Sequence, residues 1–207
     1  MSRKPFIILF LLLLAGWLLF GVFQNSYTIR PLQPGAKILA FGDSLTYGKG
    51  ASQGKSYPQQ LGALLNRPVL SSGVSGEVSS KGLLRLENVL NDNQIDLLLL
   101  CHGGNDILQR RSEEQLKENL ISMVEMAREY DFDVILISVP RYGVVFSDHP
   151  VYSEVSEQLK VPLLSDTVSR ILRDNTLKSD KIHPNDEGYL CLAEDMADFI
   201  EARQSEQ

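Results

Sequence analysis

Ser44 follows a short apolar run, ILAFG, and opens a loop rich in glycine. A serine hydroxyl is a weak nucleophile unless a base stands within hydrogen-bond reach. His183, in the stretch DKIHPN, is a candidate base because an imidazole titrates near neutrality. Asp180, three residues earlier, can hold that ring and stabilise its charged form. Three donors are candidates for stabilising a developing oxyanion: the backbone N–H of Ser44, the backbone N–H of Gly76 in GVSGE, and the side-chain amide of Asn105 in GGND. Glycine at 76 lets a backbone approach a substrate with no Cβ in the way. Each piece has a plainer use, since serines after strands cap helices and Gly-Gly-Asn-Asp makes turns. Their occurrence in order, in four polar loops, points to acyl transfer at one site.

The elements around these loops decide whether they can meet. Apolar runs KILAF, PVLSS, DLLLLC, DVILIS and VPLL read as strands. Between them YPQQLGALL, SKGLLRLENVL, SEEQLKENLISMVEMAREY and YSEVSEQL carry apolar residues near helical spacing, and a last helix is expected from about Asp186 to Arg203. Strands alternating with helices predict an α/β fold with a parallel sheet covered on both faces, because parallel neighbours need a crossover. In such sheets the working groups gather at the carboxyl ends of the strands. Three of the polar loops follow strands, and the fourth precedes the last helix.

GDSLT, GVSGE, GGND and DKIHPN resemble the four blocks of the SGNH (GDSL) hydrolases, in particular the bacterial thioesterase I, lysophospholipase and arylesterase branch. The resemblance runs from about Lys37 to the last helix. It implies Ser44 as nucleophile, Asp180 and His183 as the rest of a triad, and Ser44, Gly76 and Asn105 as the oxyanion hole. It also implies a flavodoxin-like three-layer α/β/α sandwich around a five-stranded parallel sheet. The expected activity is hydrolysis of small carboxylic esters or thioesters through an acyl-enzyme, acyl lipids among them, with no cofactor. Alternatives are an envelope polysaccharide O-deacetylase and a membrane-tethered binding module that no longer turns over. No Gly-x-Ser-x-Gly elbow surrounds Ser44, which disfavours the α/β-hydrolases. Two departures stand out: GEVS where that branch more usually has GDTS, and His102 where it more often has an apolar residue.

A net charge of -6 with no lysine and arginine cluster argues against nucleic acid as a partner. Residues 6–23 form an uncharged apolar run of 18 positions, roughly 27 Å as a helix against a hydrocarbon core of about 30 Å. No small-x-small cleavage site follows it, so residues 1–23 are expected to be an uncleaved transmembrane anchor, with a cleaved signal peptide as the alternative. Arg3 and Lys4 before the run place the domain across an inner membrane, in the periplasm. Residues 24–35, QNSYTIRPLQPG, read as a linker, and 36–207 as the hydrolase domain.

The connection PRYGVVFSDHPVYSEV is longer than ordinary strand-to-helix loops. Its Tyr142, Val144, Val145 and Phe146 either face a substrate acyl chain or pack over the sheet edge. His102 reads as a satisfied histidine at a strand end, and His149 as solvent-facing. Cys101 and Cys191 read as two separate buried thiols. Two cysteines and three scattered histidines do not make a zinc site, and no metal is expected.

Overall fold

The computed structural model describes residues 27–143 and 146–204. The apolar run 6–23, expected to be an anchor, and Val144 and Val145 lie outside the described residues. Among the described residues no helix is long and apolar enough to cross a membrane.

Five strands form a parallel sheet: β1 (Ile38–Gly42), β2 (Val69–Gly73), β3 (Leu97–Cys101), β4 (Asp133–Ile137) and, past a short hairpin, β7 (Leu163–Leu164). All five were legible as apolar runs. In β1 and β3 every residue is buried, so neither alternates polar with apolar, as expected where helices cover both faces. The spatial order is β2-β1-β3-β4-β7. The winding direction reverses between β1 and β3, which is the flavodoxin-like order and opens a crevice at their carboxyl ends.

The helices are α1 (Ser44–Tyr47), α2 (Tyr57–Leu65), α3 (Ser79–Asn91), α4 (Gly104–Leu108), α5 (Glu113–Glu129), α6 (Pro150–Leu159), α7 (Thr167–Arg173) and α8 (Asp186–Arg203). The crossover from β1 to β2 runs opposite to that from β2 to β3, so right-handed connections put their helices on opposite faces. Accordingly α2 packs with α8, while α3, α5 and α6 pack together. Local chemistry sets the helix starts. Ser112 accepts from Gln115 N–H at 3.2 Å ahead of Glu113 and Glu114, and Asn185 accepts from Gly188 N–H at 3.0 Å.

The long connection after β4 holds the hairpin of β5 (Pro140–Arg141) and β6 (Ser147–Asp148), which pair antiparallel. The segment expected as a linker is, over its described part, an ordered strap. Ile29 is buried, and its N–H donates to Arg203 C=O at 2.9 Å. Arg30 pairs with Asp131 and Asp133, and Arg67 donates to the carbonyls of Leu32 and Gln33. Buried Ala36 and half-buried Leu32 add apolar contacts, and Lys37 N–H donates to Asp96 at 2.8 Å, at the amino end of β3.

Candidate active site

Ser44 is the first residue of α1, directly beyond β1. Asp43 caps this helix, its Oδ1 accepting from Leu45 N–H at 3.2 Å. The loop before α8 brings His183 to the same place: its Nε2 lies 3.1 Å from Ser44 Oγ. His183 Nδ1 lies 2.8 Å from Asp180 Oδ2, while Asp180 Oδ1 accepts from the N–H groups of Ile182 and His183 at 2.8 and 2.9 Å. A carboxylate only accepts, so Nδ1 carries the proton and Nε2 turns its lone pair to the serine. Burial pushes the Asp180 carboxyl up. The bonds from Ile182 N–H and the His183 ring outweigh that, and its pKa falls below the ordinary 3.8.

Asn105 lies in α4, just beyond β3. Its Nδ2 donates to Glu77 C=O at 2.9 Å and to Asp43 Oδ2 at 3.3 Å. Asp43 is 1% exposed, and burial raises its pKa against the opposing pull of His102 and the backbone N–H of Leu45 and Gly104. Gly76 sits third in a four-residue turn closed by Glu77 N–H donating to Val74 C=O at 3.1 Å. Its φ of +80° is left-handed, which a side chain resists, and no protein atom lies within 4 Å of where a Cβ would stand. The structure thus joins Ser44, His183 and Asp180 in one hydrogen-bonded series. Asp43, Asn105 and Glu77 form a second, and the two meet at residues 43 and 44.

Of the expected substrate-facing residues, Tyr142 and Phe146 are half-buried, packed on the core and edge-on to each other at 6.3 Å between ring centres. The Tyr142 hydroxyl lies 3.3 Å from where a Cβ on Gly104 would stand, beside the loop that carries Asn105. Lys178 Nζ stands 5.6 Å over the Phe146 ring.

His102 is satisfied as expected: fully buried, it accepts at Nδ1 from Gly103 N–H at 2.9 Å, and its Nε2 lies 3.1 Å from Glu77 Oε2. His149 is not solvent-facing. It is buried at the start of α6, where its Nδ1 accepts from Val151 N–H at 3.3 Å and caps the helix, and α5 lies opposite with Glu113 Oε1 3.3 Å from its Nε2. Both cysteines are free thiols, but only Cys101 is buried. Cys191 is half-buried, on a turn of α8 that solvent reaches. Sequence reasoning also missed Asp43, although an acid directly before a serine that opens a helix is a capping signal. A cavity of about 230 Å³ beside α4, lined by Asp106, Ile107, Arg110, Leu116 and His149 among others, had no signal in the sequence.

A hydroxyl, an imidazole and a carboxylate in series at the carboxyl end of a parallel sheet define a serine hydrolase. The GDSL-like Lipase/Acylhydrolase family matches residues 40–190, and the chain belongs to that family and is an ester hydrolase. It is 28% identical over 176 residues to an arylesterase of Vibrio mimicus, covering 80% of this chain and 88% of the relative. It is 28% identical to thioesterase 1/protease 1/lysophospholipase L1 of Escherichia coli K12, covering 77% and 81%. Esterase TesA of Pseudomonas aeruginosa is 30% identical, covering 71% and 79%. Among solved structures, the psychrotrophic esterase EstA of a Pseudoalteromonas species superposes with a TM-score of 0.72 at 23% identity, over 80% of this chain and 96% of that one. That likeness bears on the fold.

Proposed function

We propose that Ser44 is the nucleophile of a two-step hydrolysis of small carboxylic esters and thioesters, with His183 as general base and then acid. The observation that carries this is the His183 Nε2 to Ser44 Oγ distance of 3.1 Å, with Nδ1 held by Asp180. Ser44 Oγ attacks the acyl carbon as its proton passes to Nε2, and the carbonyl oxygen becomes an oxyanion. The imidazolium returns the proton to the leaving alkoxide or thiolate, which departs and leaves the acyl-enzyme. Water then attacks by the same route, giving the carboxylic acid and restoring the serine.

The N–H groups of Ser44 and Gly76 and the Asn105 amide are the donors to the oxyanion in this reading. Asn105 Nδ2 has two hydrogens. Nδ2 donates one to Glu77 C=O at 2.9 Å; the other goes to Asp43 Oδ2 over a longer 3.3 Å and is the one that an oxyanion can share. Tyr142 borders the acyl side of the site in this scheme. Relatives named arylesterase, thioesterase and lysophospholipase support the substrate range. The apolar run 6–23 behind Arg3 and Lys4 supports a single-pass inner-membrane anchor with the domain in the periplasm, a secreted form being the alternative.

The test is a chain-length series of p-nitrophenyl esters on the full chain in detergent, together with a serine-directed phosphonate. Turnover with one optimum of chain length and a single adduct on Ser44 are expected. A chain that neither turns over these esters nor takes the label at Ser44 refutes the assignment.

A further inference from the structure

Two of the side chains that depart from the resembling branch, Glu77 and His102, bind each other. Glu77 Oε2 lies 3.1 Å from His102 Nε2. Because Gly103 N–H donates to His102 Nδ1, that nitrogen has no proton, and the Nε2–H is the one that donates to the carboxylate. The ring reaches this position only because residue 82, inside α3, is glycine: a Cβ there would stand 2.3 Å from Nε2.

Arg85 holds the same carboxylate from the other side, with Nε 3.0 Å from Oε1 and Nη2 2.8 Å from Oε2. The same guanidinium donates to Ser72 Oγ at 2.6 Å, to Ser72 C=O at 3.2 Å and to Gly42 C=O at 3.4 Å. Its carbon lies 4.1 Å over the centre of the Phe41 ring. The Glu77 carboxylate is therefore fastened to the ends of β1, β2 and β3 at once. It also stays ionised: burial pushes its pKa up, but the bonds from His102 and Arg85 prevail and bring it down to about 2.

The backbone of Glu77 touches both distal oxyanion donors. Its N–H closes the turn that presents Gly76, and its C=O holds the Asn105 amide at 2.9 Å. We propose that Glu77 is a positioning residue for the oxyanion hole, and that His102 and Arg85 act on the reaction by fixing it. This rests on the reading of Gly76 and Asn105 as oxyanion donors. A donor displaced by about 1 Å costs up to a hundred-fold in rate, so an anchor for two donors bears on kcat and leaves substrate binding alone.

The experiment compares the full chain in detergent with E77D, H102L, E77D/H102L and H102Q. For each it reads kcat and KM on p-nitrophenyl butyrate, melting temperature, and phosphonate labelling at Ser44. E77D draws the carboxylate back and strands the His102 Nε2–H, and kcat should fall about ten-fold to a hundred-fold with KM within two-fold. In E77D/H102L the stranded donor is gone, and kcat should recover at least about ten-fold over E77D. H102L should lower kcat several-fold, while H102Q, whose amide can still donate to Glu77, should restore it. That pair carries the test if E77D does not fold. Wild-type kcat per folded molecule in both E77D and H102L overturns the proposal, as does a double variant no better than E77D. Absence of label on Ser44 in the unaltered chain would instead refute the site itself.

Discussion

His183 Nε2 faces Ser44 Oγ at 3.1 Å across 139 residues of chain. The serine is delivered by the end of β1 and the histidine by the loop before α8, so the sheet and the last helix must both be in place before either side chain has a function. Neither is part of the packed interior. Removing either should therefore separate activity from stability.

Ser44→Ala should lower kcat on p-nitrophenyl esters by more than about a thousand-fold, and His183→Ala by a similar amount, because members of such a series act as a unit. Melting temperatures should stay within about 2 °C of the parent, since no core atom is lost. An alanine variant at 44 that keeps a tenth of the activity would remove the serine from the mechanism.

Asn105→Ala should reduce kcat by roughly a hundred-fold to a thousand-fold with little change in KM, the usual effect of losing one oxyanion donor. It also deprives the buried Asp43 carboxylate of a partner, so a lower melting temperature should accompany the loss. Measured together on one preparation, kcat and melting temperature separate the roles. A destabilised variant with full kcat would make Asn105 purely structural.

Acid should weaken the fold through Glu77. Its pKa drops from the ordinary 4.5 to about 2 in the folded chain, so its contribution is complete above 4.5 and is lost as the pH falls from there toward 2. Asp180 shifts in the same direction, and the buried Asp43 in the opposite one. Comparing the parent with Glu77→Gln cancels both. Urea midpoints of the two should differ most above pH 5 and converge near pH 2, and a constant gap across that range would rule out the linkage.

Gly82→Ala should destabilise, although alanine is the better helix former by about 1 kcal/mol. The added Cβ would meet the His102 ring at 2.3 Å, and that ring is held at both nitrogens. A net cost of about 2 kcal/mol is expected from overpacking, or about 4–8 °C in melting temperature. A melting temperature equal to or above the parent's would show that the ring yields freely.

The strands and long helices were legible because burial on both faces makes continuous apolar runs such as LLLLC, and amphipathic helices repeat their apolar residues near helical spacing. The residues proposed for the site stand out because a serine, an asparagine and a histidine fall in separate polar loops, two after strands and one before the last helix. Shorter elements were not legible. α1 and α4 are four and five residues long, begin on local bonds to Asp43 and Gly103, and are too short to carry a period. The burial of His149 depends on what α5 places opposite it, and the partnership of Glu77 with His102 spans 25 residues and joins the loops after β2 and β3. Such side chains are assigned their neighbours only when the sheet assembles.

The strap from Ile29 to Lys37 and the candidate site occupy opposite poles of the sheet. The strap lies along the amino ends of the strands, with Arg30 on Asp133 and Lys37 N–H on Asp96, while Ser44, Gly76 and Asn105 lie at the carboxyl ends. A five-residue strand, roughly 17 Å, separates the two poles. The polypeptide leading into the domain thus grips it from behind, like a handle opposite a blade. An ester that reaches Ser44 therefore meets the pole of the sheet that the strap leaves clear, and its passage to the serine does not cross the entering chain.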